Sequence, residues 1–447
     1  MRTPASRAPR HRPQGNGRVA SDSPHLRLPR GHHDVPPERA RHHRALREAW
    51  FDHGQLHGFQ PVEIPPVGFE STFTTGHHAA GQKLYAFPDR RGRQLALVSD
   101  SLPTILRLAN QDGPGSNRLS YCCPVFRYER RPRRHFHHLG VAEINAGIHT
   151  LTEATNATLR LLQLVADYLA PLLDCTVTIT NPGLWRTVAA RCVGPAEAPA
   201  FLDQLRRTPP RQRPRWLHAR GAEPAVAQLA EHLAHQPGSP PRAEPPDPAA
   251  RLDAELAEHI TACHTVAAAV DTPRMSASVA LGDLHAVEFH DSLAFQIRPR
   301  NQQRLLGDGG SYAAFASRFL SRPTTTYSAM VGLERLADLI PQPDPRPPAT
   351  VALLATGPPE AQRLAMTLAR DLRAAHIAVW HATLAPPLSR QLRELASHGI
   401  PYVLVIGPRE LVCDTFRIRD ATGQLTDVPR HQLISWLQQA SADTLTA

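Results

Sequence analysis

PVFRYERRPRRHFHHLGVAEI, residues 124 to 144, has two strand-like ends around a middle crowded with arginine and histidine. Like charges placed opposite one another on paired strands repel. A hairpin with this sequence needs an anionic partner, or a turn that points its arginines into water. The rest of the chain shares the bias. Its 447 residues carry 50 Lys+Arg against 40 Asp+Glu, a formal net charge of +10. That excess fits an anionic partner such as RNA or a phosphorylated ligand, and it equally fits solvated basic faces. Nearly all the cations are arginine, with Lys83 a rare exception, and Ala and Pro are abundant. This looks like a coding bias, so the arginine excess alone does not single out phosphate recognition.

The length suggests two to three domains, and a hydrophobic fraction of 41% supports real cores. The six cysteines form no C-x-x-C pair and no zinc-like spacing with histidine. The 25 histidines are scattered. Doublets such as His32-His33, His42-His43 and His77-His78 fall in polar surroundings, so no metal ligands are expected. No apolar run is long enough to cross a bilayer and no signal-peptide core opens the chain. A cytoplasmic protein with reduced thiols and no membrane partner is expected.

Residues 1 to about 28 are rich in Pro, Arg, Ser and Gly and read as a disordered basic tail. From Pro36, a helix pattern runs through Ala45, Leu46, Trp50 and Phe51 to Gly58. FQPVEIP then reads as a strand, and KLYAFPDRRGRQLALVS as two strands about Arg91-Gly92. A helix is expected from Asp100 to Asn110, and strands over Arg118–Tyr128 and His135–Ile144. Thr152 to Leu173 is an amphipathic helix with Leu159, Leu162, Val165 and Leu169 on one face. Residues 185 to 275 are helical in pattern and broken by TPPRQRPRW and QPGSPPRAEPPDP, which suggests a helical insertion. Strand patterns return at SASVALGDLHAVEFHDSLAFQIRP, followed by a glycine-rich bend, GDGGSY. YSAMVGLERLADLIP reads as strand, Gly332, helix. Residues 341–349 read as a linker. In 350–447 strands alternate with helices, which implies a small α/β domain with a mostly parallel sheet.

These motifs, in this order, resemble the histidyl-tRNA synthetase family of class II aminoacyl-tRNA synthetases, from about Pro29 to the C-terminus. PRGHHDVPPE looks like the family's opening segment, and HGFQPVEIPP like motif 1 with Pro65 in its proline position. PVFRYER looks like motif 2, with Arg127 and Glu129 in the F-R-x-E positions. MVGLERL looks like motif 3, with Arg335 as its arginine, and the last domain looks like the class's anticodon-binding domain. The resemblance implies an α+β fold. An antiparallel-sheet catalytic domain over 29–340, with a helical insertion at about 185–275, precedes an α/β anticodon-binding-like domain over 350–447. It also implies a homodimer through motif 1, tRNA as partner, and ATP with Mg²⁺.

The implied chemistry is attack of an amino-acid carboxylate, histidine by default, on the α-phosphate of ATP. Negative charge gathers at that phosphorus, and cations aimed at it lower the barrier. Arg127 is implied at the α-phosphate, where a guanidinium fork matches phosphate oxygens. Arg335, at a helix start, is implied at the γ-phosphate. Phe136 would stack on adenine. Glu129 would contact the adenine amino group, or help hold Mg²⁺. Arg130, Arg131, Arg133 and Arg134 would reach ATP, the tRNA acceptor end, or water.

The amino-acid pocket departs from the family. Asp100 stands in place of a glutamate, Val98 of an arginine, Leu102 of a threonine and His138 of a glutamine. The next family glutamate falls on Ala142, unless Glu143 replaces it by a one-residue slip. In HAVEFHDSL, His285 takes the place of the arginine that assists activation, followed by Glu288, Phe289 and His290 as amino-acid-binding positions. In DGGSYAAF, Ser311 replaces another arginine and Ala313 an aspartate. A histidine is fully charged only below about pH 6.5 and lacks the planar fork of arginine. Two other readings therefore accompany the histidyl-type ligase. One is a paralogue that activates a different amino acid for tRNA-dependent biosynthesis. The other is a regulator like the regulatory subunit of ATP phosphoribosyltransferase, whose D-x-T-P-Q pattern SDSLPT resembles. The C-terminal domain, which that subunit family typically lacks, and the FRYER wording favour the synthetase.

Overall fold

The structure is a computed structural model describing residues 27–446, apart from 76–82, 111–116, 130–131, 148, 235–251, 285–286, 321–322, 342–346 and 382–386. The basic tail up to residue 26, the stretch QPGSPPRAEPPDP, Arg130, Arg131 and His285 thus lie outside the described residues. The chain divides into two compact units, Met1–Gln342 and Pro343–Ala447.

The strands of the first unit are β1 (Gln60–Val62), β2 (Val67–Phe69), β3 (Ala86–Pro88), β4 (Gln94–Leu97), β5 (Asn117–Phe126), β6 (His135–Ala146), β7 (Cys175–Thr180), β8 (Met275–Val279), β9 (Ala294–Pro299), β10 (Gly307–Ser311) and β11 (Thr324–Gly332). Eight of them form one sheet in the order β1-β5-β6-β11-β10-β9-β7-β8. The interior pairs are antiparallel; only the outer pairs, β1 with β5 and β7 with β8, are parallel. A small antiparallel sheet, β2-β4-β3, lies apart. The opening stretch folds as the β5–β6 hairpin, with Phe126 opposite His135 and Leu119 opposite Ala142.

Alternation along β6 gives the large sheet two faces. Leu139 and Val141 join a core with Trp50, Leu161, Leu162 and Val165, so the helices Pro37–Leu56 and Leu151–Leu169 cover that face. Ala142 and Ile144 join a second core with Tyr121, Leu102, Ile105 and Tyr312. The helix Leu151–Leu169 starts with a capping box, in which Thr150 Oγ1 accepts from the Glu153 N–H and Glu153 Oε2 accepts from the Thr150 N–H at 2.7 Å. Its buried face is wider than the expected stripe: Leu161, Leu164 and Tyr168 are buried, while Leu159 is only partly so. Helices Pro182–Val193, Ala198–Arg207, Arg213–His218, Pro224–Ala234 and Ala254–Val270 connect β7 to its parallel neighbour β8. Their Trp185, Leu205, Leu229 and Leu256 are buried in the same core as Leu139, so this segment shares the sheet's core.

The glycine-rich segment expected as a bend is instead the inner strand β10, paired on both sides. Its glycines are there for close approach. A Cβ on Gly309 would lie 2.5 Å from the Ser328 carbonyl oxygen and 2.6 Å from the Phe295 ring.

The second unit contains β12 (Val351–Ala355), β13 (Val379–His381), β14 (Tyr402–Ile406), β15 (Thr415–Asp420) and β16 (Leu425–Pro429), ordered β13-β12-β14-β15-β16. The expected mostly parallel sheet is mixed. β13, β12 and β14 are parallel, while β14 with β15 and β15 with β16 are antiparallel, the latter two joined as a hairpin with no helix between them. Val351, Leu353, Leu404 and Phe416 are fully buried beneath helix Pro359–Ala374, which contributes Ala361, Ala365, Ala369 and Leu372.

Gly309→Ala should lower stability by about 1–3 kcal/mol, the usual cost of overpacking against atoms that cannot retreat. A lower denaturation midpoint with an unchanged slope would show it; an unchanged midpoint would mean β10 relaxes freely.

Candidate active site

A cavity of about 1000 Å³ opens between the β5–β6 hairpin, the start of helix Ser101–Ala109, and the turn from β11 into helix Leu333–Ala337. Of the residues singled out from sequence, Asp100, Arg127, Glu129, Phe136, His138, Phe289, His290 and Arg335 line it. Glu288 does not; it pairs with Arg206 at 3.1 Å. His285 lies outside the described residues.

Arg127 follows directly on β5, and its N–H donates to the Arg134 carbonyl at 2.8 Å, which keeps the hairpin closed. Its Nε donates to the Ser99 carbonyl at 2.8 Å and its Nη2 to Asp100 Oδ2 at 3.2 Å. The Phe136 ring lies 5.5 Å from the guanidinium carbon, within cation–π range. The other Asp100 oxygen, Oδ1, accepts from the Leu102 N–H at 3.1 Å and caps helix Ser101–Ala109.

His138 is buried on the cavity side of β6. Burial first, and then the Arg127 charge, push its pKa down to about 3, so the ring is neutral near pH 7. Its Nδ1 meets Ser101 Oγ at 3.3 Å, Ser101 meets the Tyr121 hydroxyl at 3.3 Å, and Tyr121 meets Ser328 Oγ at 3.4 Å. Ser328 Oγ donates to the Val141 carbonyl at 2.9 Å. A carbonyl only accepts, and each hydroxyl has one proton to donate. The chain therefore runs one way, with His138 Nδ1–H donating to Ser101 and Nε2 keeping its lone pair. Burial raises the Tyr121 pKa far above the usual phenol value, so it too stays neutral.

The one-residue slip does not occur. Ala142 faces Tyr121 and Tyr312 in the second core, and Glu143 points to the other face. There it accepts from Arg160 at 2.7 Å and pairs with Arg118 at 3.4 Å. Past Glu288, the His290 ring lies 4.3 Å from the Tyr312 ring, and its Nδ1–H donates to the Ser311 carbonyl at 3.1 Å. Ser311, where the resemblance places an arginine, donates its hydroxyl to Asp291.

Arg335 lines the far part of the cavity and donates to the Leu305 carbonyl at 2.7 Å. Its neighbour Glu334 is buried and accepts from the His137 backbone at 2.8 Å and from His137 Nδ1 at 2.7 Å. Burial pushes Glu334 up, but the His137 hydrogen bonds prevail and hold it below the ordinary carboxylate value. The motif 3 turn is thus latched to the motif 2 strand. Arg133 pairs with Asp338 at 3.2 Å.

Lys83, Arg304, Asp308 and Glu334 also line the cavity and were not assigned from sequence. Lys83 is the chain's only lysine, and its Nζ lies 3.2 Å from Glu129 Oε1. Its rarity was the available signal. Glu129 and Asp308 are two of the carboxylates that line the cavity, the residue type that takes a hard cation beside phosphates.

Comparison with known proteins agrees with this arrangement. The histidyl-tRNA synthetase family model matches residues 31–333, and the anticodon binding domain model matches 349–440. The histidine–tRNA ligase of Parasynechococcus marenigrum is 24% identical over 427 residues, covering 87% of this chain and 92% of that protein. An ATP phosphoribosyltransferase regulatory subunit from Moorella thermoacetica is 38% identical over 136 residues, 29% of this chain and 35% of that protein. The crystal structure of histidyl-tRNA synthetase from Nostoc superposes with a TM-score of 0.69 at 16% identity, covering 93% of this chain and 99% of that one. With the hairpin, the glutamate-latched turn and the appended α/β unit all in place, and a family model spanning most of its length, the chain belongs to the histidyl-tRNA synthetase family.

Proposed function

We propose that this chain is an ATP-dependent ligase that activates an amino acid, histidine first among the candidates, and transfers it to tRNA. The supporting observation is that Arg127, Glu129, Phe136 and Arg335 converge on one cavity large enough for a nucleotide and an amino acid. The substrate carboxylate oxygen attacks the α-phosphorus, and pyrophosphate leaves with the electron pair of the broken P–O bond. Arg127 holds the α-phosphate, Arg335 the γ-phosphate, and Phe136 stacks on adenine. Glu129 and Asp308 would hold Mg²⁺, which when bound neutralises phosphate charge. Lys83 and Arg304 add positive charge to the same cavity. Turning Arg127 to a phosphate releases Asp100 for the substrate ammonium group. His138 Nε2 accepts from an N–H of the side chain. The α/β unit binds the tRNA anticodon, and the protein works in the cytoplasm as a homodimer through its motif 1 segment. Among the described residues, no helix is long and apolar enough to cross a membrane.

A second reading, a catalytically silent regulator, draws on the Moorella match and on the Asp100 carboxylate already engaging Arg127. Pyrophosphate exchange separates the two. Exchange should depend on histidine and fall roughly 10²–10³-fold in Arg127→Ala, the usual loss when a transition-state donor is removed. Exchange with another amino acid would make this an enzyme of different specificity. Silence with every amino acid, alongside retained ATP or histidine binding, would leave the regulator.

The neutral state of His138 has a stability consequence. Its folded pKa is depressed, so the unfolded chain binds a proton that the folded chain refuses between about pH 6.5 and 3. Stability therefore falls as pH drops through that window, by at most about 1.4 kcal/mol per pH unit from this group. His138→Gln should flatten the acid side of the stability profile. An identical profile would place the proton elsewhere. In the same variant, histidine-dependent exchange should persist, because glutamine still offers an acceptor, whereas His138→Leu should abolish it.

A further inference from the structure

Away from the cavity, one group among the described residues brings together side chains able to hold a metal ion: His53, His57 and Asp167. The sequence offers only the four-residue spacing of His53 and His57, since the histidines belong to no doublet and the carboxylate comes from a different helix. His53 lies in the last turn of helix Pro37–Leu56 and His57 is its C-cap residue, with φ −92° and ψ 7°. Four residues apart on a helical path, the two imidazoles share one face, and their ring centroids are 4.9 Å apart. Asp167 projects from helix Leu151–Leu169. One donor atom from each of the three lies within 4.8 Å of the others.

His57 Nε2 and Asp167 Oδ2 are 3.8 Å apart. That is too long for a hydrogen bond. Ligands sharing a tetrahedral ion with bonds of about 2.0–2.1 Å sit roughly 3.3 Å from one another, so small side-chain rotations would close the set. The outer contacts are already those of a held ligand. His53 Nε2 lies 3.2 Å from the Leu164 carbonyl. The carbonyl can only accept, so Nε2 carries the proton and Nδ1 keeps the lone pair. A histidine that binds a metal typically donates its other ring N–H in this way.

We propose that His53, His57 and Asp167 form a zinc-binding site that ties helix Pro37–Leu56 to helix Leu151–Leu169, with the fourth position left to water. Two imidazoles and one carboxylate suit zinc. Magnesium and calcium favour all-oxygen sets, and no thiolate is present to draw a softer ion. The same two helices already meet through Trp50 and Tyr168, edge to face at 4.9 Å, and through the Tyr168 hydroxyl on the Leu46 carbonyl at 2.9 Å. The site also stands just before Phe59, which leads into β1, the strand at one edge of the large sheet. Zinc there would fix where β1 enters the sheet. The proposal does not rest on the ligase reading.

The test is calorimetric titration of the chelator-treated full-length protein with zinc chloride. The wild type should take up one tight equivalent that His57→Ala and Asp167→Asn each weaken by at least about tenfold. His264→Ala, an exposed histidine on another helix, should leave it intact. Zinc should raise the melting temperature of the wild type by mass action and leave that of His57→Ala unchanged. Cobalt in place of zinc should give the intense visible absorption of a four-coordinate ion only where both histidines remain. Should His57→Ala misfold, Asp167→Asn decides, because its side chain is 63% exposed and close in shape. Equal zinc stoichiometry and affinity in wild type, His57→Ala and Asp167→Asn would overturn the site and assign the metal to other histidines. Absence of saturable binding in the wild type would overturn it as well.

Discussion

Strand β6 is gripped from both sides, by β5 from Asn117 to Phe126 and by β11 from Thr324 to Gly332. The rest of the first unit depends on that double pairing, because it fixes which side chains face the cavity. Phe136, His138 and Ala142 look one way, and Leu139, Val141 and Glu143 the other. A slip by one residue would exchange the two sets. It would place the Glu143 carboxylate among Tyr121, Ile105 and Tyr312 and strip it of Arg160 and Arg118. Gly140 locks the register further. A Cβ there would sit 2.3 Å from the Tyr121 ring, so only glycine lets that ring lie across the strand and join the hydroxyl chain beneath His138.

The crowding of positive charge on the hairpin finds its answer inside the protein. Each described cation there has its own neutralising contact. Arg127 has Asp100 and the Ser99 carbonyl, and Arg133 has Asp338. Arg134 donates to the Glu129 carbonyl at 2.9 Å, with its guanidinium carbon 4.4 Å from the centre of the Tyr128 ring. Lys83, just ahead of β3, answers Glu129. None of these pairs is deeply buried, and such pairs are individually modest in stability. Their value is in position: partly solvated pairs can be exchanged for a ligand's phosphates at little cost, whereas a buried pair could not.

Much of this was legible in the sequence because it follows from local rules. The alternation in β5 and β6, the helix start at Asp100, and the glycine turn at Arg91-Gly92 are each set by neighbouring residues; the helix expected from Thr152 begins one residue earlier, capped by Thr150. The motif order placed Arg127, Phe136 and Arg335 on one cavity without any knowledge of distances. What stayed hidden depends on contacts between distant segments. GDGGSY reads as a bend because its glycines break strand propensity; they are required by the packing of β9 and β11 on either side. Glu288 sits in a stretch that lines the cavity, yet its partner Arg206 lies on a helix far along the chain. Glu334 carries no signal of its own beside Arg335, since only the fold brings His137 against it.

The two ends of the cavity have diverged from the family pattern to different degrees, and the physics of each end explains why that is tolerable. Phosphate recognition needs charge and reach, which arginine, lysine and a helix start supply in several equivalent arrangements. Side-chain recognition needs a donor or acceptor of fixed sense. Glutamine offers both; His138, its Nδ1–H committed to Ser101 and the chain ending on the Val141 carbonyl, offers only an acceptor. A substrate that donates is matched, and one that only accepts leaves Nε2 facing a second lone pair with no proton between them. Protonating His138 to mend that mismatch is opposed by its burial and by Arg127. The pocket is therefore altered in composition but not indifferent: in the ligase we propose, side-chain selectivity would rest on one neutral nitrogen, oriented through Ser101, Tyr121, Ser328 and the Val141 carbonyl.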